Sequence, residues 1–117
     1  MSLALSPAIL EAAYDFLRTT PPFKSWKLPP AEEIRFRVMS AKDCRGWHTF
    51  NNGEHDIAIS RSVIGRTSAL METLAHEMIH VYQINKKSWT KNTEHNAEFW
   101  RLAKIICKHH GFDPKLF

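Results

Sequence analysis

Cysteine is scarce in this chain: there are two in 117 residues, Cys44 and Cys107, far apart and in no metal-like spacing. That excludes a zinc ribbon or a Cys-x-x-Cys redox pair, and two free buried thiols in a reducing compartment are expected. Long apolar runs are missing as well. Nothing approaches the ~20 residues that a helix needs to cross a bilayer, so no membrane partner is expected. The start, Met1–Pro7, has neither a basic region nor a long apolar stretch, and Glu11 and Asp15 follow soon after. This is not the pattern of a secretory signal, and the cytoplasm, or the nucleoid, is the expected compartment. No internal repeat or low-complexity segment is found. Positive charge is only mildly in excess, net +4, which permits contact with nucleic acid without demanding it. The length suits one domain with one core over 1–117; a monomer is the expectation, although nothing in the sequence reveals the oligomeric state.

What the chain does have is His76-Glu77-Met78-Ile79-His80, a His-Glu-x-x-His inside a stretch that reads as helix. Residues four apart stack on one helix face, so His76 and His80 can aim at the same ion. Glu77 leans to that side as a base toward an attacking water, not as a ligand. Two ligands and one base on one helical turn is the geometry of a zinc hydrolase. With seven His and eight Glu in the chain, a chance match has a probability of roughly 3%.

The remaining elements are read from pattern. Ser6-Pro7 starts a first helix as N-cap and first-turn proline, with Ile9, Leu10, Ala13, Phe16 and Leu17 at helical spacing. Pro21-Pro22 ends it, and a stiff connection to Pro29-Pro30 carries Phe23 and Trp26, expected to cover the edge of the core. Residues 33–38 alternate as a strand with Ile34, Phe36 and Val38 on one face. Residues 44–50 and 55–60 read as two further strands around an Asn52-Gly53 hairpin turn. Thr67 or Ser68 is expected to cap the long helix, whose apolar stripe is Leu70, Leu74, Met78 and Val81. A last helix is expected from about Glu94 to His109, capped by Asn92 or Thr93 and ended by Gly111. The fold class is then α+β: residues 1–32 form a helix and proline-rich connection, and 33–117 a small three-stranded, mostly antiparallel sheet packed on helices.

Catalytic zinc usually takes three protein ligands. Among His95, His109 and His110, His95 is favoured, because it follows a connector long enough to fold back. The other two sit at a helix end where the dipole accounts for them. His76-Glu-Met-Ile-His80 followed by His95-Asn-Ala-Glu98-Phe99-Trp100 resembles the SprT-like metallopeptidase domain, the protease core also found in Spartan-type enzymes. In that family a second helix opens with a His-Gly-x-x-Phe-like motif whose histidine is the third zinc ligand. The resemblance runs back through the Trp47 strand and Asp56–Ser60, over about residues 33–107. It implies a zincin-like core, one Zn2+ held by His76, His80 and His95, and hydrolysis of protein or peptide substrates with Glu77 as base. Asn96 stands where the family carries glycine. The zinc ribbon of some relatives has no cysteine cluster here, so DNA-dependent cleavage does not transfer directly.

Around this centre several residues have more than one reading. His48, Tyr82 and His55 are candidate oxyanion donors. Glu98 either orients a ligand or pairs with Arg101 or Lys91, and Glu94 suits a helix N-terminus. Lys86, Lys87 and Lys91 around Trp89 have the composition of a single-stranded DNA contact, although a solvated loop has the same composition. The competing function is a non-catalytic, zinc-stabilised module that binds nucleic acid or protein; Glu77 weighs against it, since a structural site has no use for a base.

Overall fold

The computed structural model of the chain describes residues 4–62 and 64–117. Met1, Ser2 and Leu3, part of the start that lacks a secretory-signal pattern, lie outside the described residues. Helix α1 spans Pro7–Arg18, with the Ser6 hydroxyl accepting from Ile9 N–H at 3.3 Å and proline in the first turn. Its buried face is Leu10, Ala13, Tyr14 and Leu17. Ile9 and Phe16, expected in the apolar stripe, are exposed instead. Tyr14 takes the inward place because its hydroxyl donates to Pro29 O at 2.6 Å, which satisfies the polar end of a buried ring. The proline-rich connection then makes two short 3-10 turns, Phe23–Ser25 and Ala31–Glu33. Phe23 is buried, and Trp26 packs between Phe23 and Tyr82, so both aromatics cover the core as expected.

Three strands come next: β1 Ile34–Met39, β2 Gly46–Asn51 and β3 Glu54–Ser60. Asn52 and Gly53 both have positive φ, 53° and 76°, which is what a two-residue hairpin turn requires. The sheet order is β1-β3-β2, with β3 antiparallel to β2 and parallel to β1. The sheet is therefore mixed, which corrects the expectation of a mostly antiparallel one. β3 takes the centre because Ile57, Ala58, Ile59 and Ser60 are all buried, and a strand covered on both faces gains most from neighbours on both edges. β2 is left as an edge.

Helix α2 covers Thr67–Lys86 and ends at Lys87 in the left-handed conformation. Arg66 is its N-cap and supplies no side-chain bond, so neither Thr67 nor Ser68 plays the expected capping part. Leu70, Leu74, Met78 and Val81 are buried as the spacing predicts. Helix α3 spans Ala97–His110, shorter at its start than expected. Asn96 caps it, not Asn92 or Thr93, because the Asn96 side chain also bonds Ser88 and Thr90 and so holds residues 88–96 in turns. Gly111 ends it with φ 76°. Phe99, Leu102 and Ile106 of α3 join Met78 and Ile79 of α2 and Ile57 and Ile59 of β3 in one apolar cluster. Among the described residues no helix is long and apolar enough to cross a membrane.

Candidate metal centre and its cleft

One turn of α2 carries His76, Glu77 and His80, and the connector to α3 brings in His95. A nitrogen from each of the three histidines lies within 4.8 Å of the others, so the group could hold a metal ion. His76 Nε2 and His95 Nε2 are 3.1 Å apart. Two imidazoles on one tetrahedral zinc, each at about 2.0–2.1 Å, sit about 3.3 Å apart, so the pair is already close to that spacing. The ring of Phe99 underlies all three imidazoles, with centroids 4.9, 5.1 and 4.4 Å from His76, His80 and His95. It is fully buried and fixes the floor on which they rest.

The protonation pattern suits ligation. His76 Nδ1–H donates to Phe117 O at 2.8 Å, which leaves Nε2 as the lone pair facing the centre. Burial pushes His76 down to about 4 despite that bond, and burial together with the neighbouring His76, His48 and His95 pushes His80 down to about 3. Neutral imidazoles are what a metal binds. Glu77 is buried, and its Oε2 finds no hydrogen-bond partner among the described residues. Burial first, then the nearby Glu94, pushes its carboxyl up to about 8. A buried carboxyl without a partner beside these imidazole nitrogens is costly to ionise as it stands, and a cation relieves that cost. The donor set therefore fits a metal ion.

These groups lie in a cleft of about 1050 Å³ whose walls are β2 on one side and the end of α2 with its connector on the other. Lys87, Trp89, Lys91 and Glu94 all face it from the connector. Glu94 therefore belongs to the cleft near Glu77, two residues short of the α3 cap, and not to the helix N-terminus. Trp47 and Trp89, each 52% exposed, stand on its two lips. Lys86 faces elsewhere: its Nζ pairs with Glu98 at 2.9 Å and lies over the Tyr82 ring.

Of the three oxyanion candidates, only His48 lines the cleft, stacked at 5.9 Å on His80. Tyr82 packs on Trp26 at 4.4 Å. His55 sits behind His48: its Nδ1 is 2.9 Å from His48 Nε2, and its Nε2 is 2.8 Å from Asn85 Oδ1. With Asn85 Oδ1 accepting from His55 Nε2–H, His55 Nδ1 must accept from His48 Nε2–H. Burial, then His55, pushes His48 down to about 4, so it is neutral and its one N–H is already used. His48 is thus an acceptor toward the cleft in this arrangement, not a donor.

Glu98 does not touch a histidine. Its oxygens take Gln83 Nε2 at 3.0 Å and Lys86 Nζ at 2.9 Å, with Arg101 3.8 Å away and Lys91 uninvolved. His110 bonds to Thr20 and His109 is exposed, both away from the centre. Cys107 is buried, but Cys44 is only half-buried and lines the cleft; both are free.

Sequence reasoning missed Arg45, Phe117, Asn85 and Gln83. Arg45 pairs with Glu72 and donates to Leu116 O, and so ties down the segment whose Phe117 main-chain oxygen holds His76. The spacing of Gln83, three residues after His80 and seven after His76, was a usable signal, because it puts an amide on the helix face that carries the ligands. The other three are brought in by long-range packing. No curated protein matches the chain. A model of the SprT-like family matches residues 13–116, from within α1 to beyond α3, and the chain belongs to the SprT-like family.

Proposed function

We propose that this protein is a zinc-dependent endopeptidase with a zincin-like core, hydrolysing peptide bonds in protein substrates. One observation carries the reading. Three histidine nitrogens within 4.8 Å of one another and the unpartnered Glu77 carboxylate share the floor of an open cleft. His76, His80 and His95 would hold Zn2+. Bound there, zinc supplies a water of lowered pKa and polarises the scissile carbonyl.

Glu77 takes the proton from the attacking water and returns it to the leaving amine. Its carboxyl is pushed up to about 8 by burial and Glu94; a divalent cation held beside it would draw that value down and favour the carboxylate, the form that accepts a proton. β2 supports the substrate. It is an edge strand beside the cleft, and its outer edge offers main-chain groups to an extended segment of a second chain. His48, as an acceptor, suits a substrate N–H. Two free thiols suit a reducing compartment such as the cytoplasm.

Single-stranded DNA contact rests on Lys87, Trp89 and Lys91 at the lip, charge for phosphate and an indole for a base. The same lip is the observation that favours the second reading, a non-catalytic zinc-stabilised module recruiting nucleic acid or protein.

The test is cleavage of an unfolded protein by the zinc-loaded chain, with and without single-stranded DNA, beside Glu77→Gln at matched zinc content. Cleavage that falls by about 10²–10⁴ in Glu77→Gln supports the peptidase. Stimulation by DNA supports the lip as its contact. No cleavage by fully zinc-loaded protein in either condition would overturn the enzyme in favour of the binding module.

A further inference from the structure

The connector that delivers His95 has little regular structure, yet it must hold an imidazole 3.1 Å from one on a rigid helix. Residues 88–96 make a single isolated bridge, Thr90 to Thr93, and the next helix begins only at Ala97. Something other than a ladder fixes the place of His95.

We propose that Asn96, locked to Gln83, is the positioning residue for His95, and that this pair sets metal affinity through that one ligand. The inference rests on the reading of the three histidines as a metal centre. Asn96 makes four hydrogen bonds with its side chain. Oδ1 accepts from Phe99 N–H at 2.9 Å and from Gln83 Nε2 at 2.9 Å. Nδ2 donates to Ser88 O at 3.2 Å and to Thr90 Oγ1 at 2.8 Å. Two bonds accepted and two donated match the two lone pairs and two protons of a side-chain amide, so its orientation is fully determined.

The four partners come from both ends of the connector and from both helices. Ser88 and Thr90 are where the chain leaves α2; Phe99 is in the first turn of α3. Gln83 lies one turn after His80 on α2, is 1% exposed, and gives its second Nε2 proton to Glu98 Oε1 at 3.0 Å. Its main-chain oxygen accepts from Ser88 N–H at 2.9 Å. The turn carrying His80 is thereby bolted to the residue immediately after His95. Phe99, positioned by the same cap, is the ring beneath all three imidazoles. The resembling family carries glycine in place of Asn96, and glycine makes none of these side-chain bonds. In this chain the place of His95 depends on Asn96.

The experiment separates capping from positioning. Asn96→Ser keeps an oxygen that can accept from Phe99 N–H but has no amide to hold Ser88 and Thr90. Gln83→Met removes the α2 side of the pair while leaving Asn96 as the cap. Zn2+ affinity is measured by competition with a chromophoric chelator, and ligand geometry by the visible absorption of the Co2+ form. Thermal unfolding of the metal-free protein is followed in parallel.

The expected result for each variant is a loss of about tenfold or more in Zn2+ affinity, with a changed Co2+ spectrum. In a His95→Ala background the same substitutions are expected to change affinity no further, because the ligand they act through is gone. Wild-type affinity in both variants overturns the proposal, and so does an equal loss with and without His95. A wild-type chain that binds neither Zn2+ nor Co2+ is a different outcome: it removes the metal centre itself, and the positioning role with it.

Discussion

Gly46 is where β2 comes closest to α2, and alanine there should be refused. A Cβ at Gly46 would lie 2.6 Å from Thr73 Cγ2 and 3.2 Å from Ile59 Cδ1. Thr73 is 3% exposed, on the helical turn just before Glu77, and its branched side chain has little freedom to swing aside. β2 must therefore lift from the helix. Overpacking of this kind costs about 1–3 kcal/mol. The reduced freedom of the unfolded chain returns about 0.4–1 kcal/mol. A net loss of about 1–2 kcal/mol remains, which moves the urea midpoint down by roughly 1 M for a slope of about 1–2 kcal/mol/M. Thr73→Ser removes the offending methyl and keeps the hydroxyl. Combined with Gly46→Ala it should recover most of the loss, a coupling of about 1 kcal/mol or more. Zinc content should be unchanged, since no ligand sits on β2. If Gly46→Ala is as stable as the parent, or is destabilised equally in the Thr73→Ser background, the close approach is not what glycine is there for.

The metal-free protein should be most stable near pH 6.5. His76, His80 and His48 have folded values of about 4, 3 and 4, below their ordinary 6.5, so their contribution is lost as pH falls from 6.5 toward 4. Glu77, raised from 4.5 to about 8, binds its extra proton when folded, so its contribution is lost as pH rises from 4.5 to 8. Each proton of difference changes stability by about 1.4 kcal/mol per pH unit, and denaturation of chelator-treated protein from pH 4 to 9 checks it; a flat profile between 5 and 8 contradicts the assignment. Arg45→Ala should release Leu116 and Phe117, lowering Zn2+ affinity about tenfold through His76 with Arg45→Lys intermediate. Unchanged affinity in a chelator competition would show that the place of the Phe117 oxygen does not depend on Arg45.

Local pattern made the elements legible, and non-local preference decided what it left open. Each strand is found within two residues of its expected place because alternation and the Asn52-Gly53 turn are written in adjacent residues. Strand order is not written there. A hairpin is antiparallel by necessity, but β1 could have joined either edge; β3 draws it in because Ile57 and Ile59 need cover that β2 alone does not give. The N-caps expected for α2 and α3 failed for a related reason. Thr67 and Ser68 were good caps by type, and Asn92 and Thr93 likewise, yet a cap works only where the chain leaves the helix. Asn96 fixes that point for α3 by bonds to residues six and eight positions earlier and thirteen positions earlier on α2.

The same division runs through the site. His76, Glu77 and His80 lie on one turn, so their spacing alone brings them together. His95 could be named from a connector long enough to fold back, although the bonds of Asn96 that hold it there could not. The groups around them are different in kind: Phe117 comes 41 residues after the histidine it holds, and Asn85 30 residues after His55. Such partners leave no periodic trace. They are also the groups that choose which nitrogen carries the proton in His76, His55 and His48. His48 is the case in point. From the sequence it is a candidate oxyanion donor; the chain through His55 to Asn85, with the Asn85 oxygen accepting, commits it to accepting instead. A motif can therefore name the ligands of a centre like this one, while the tautomer of a ligand such as His76, and that of its neighbour His48, is set by residues that the motif does not contain.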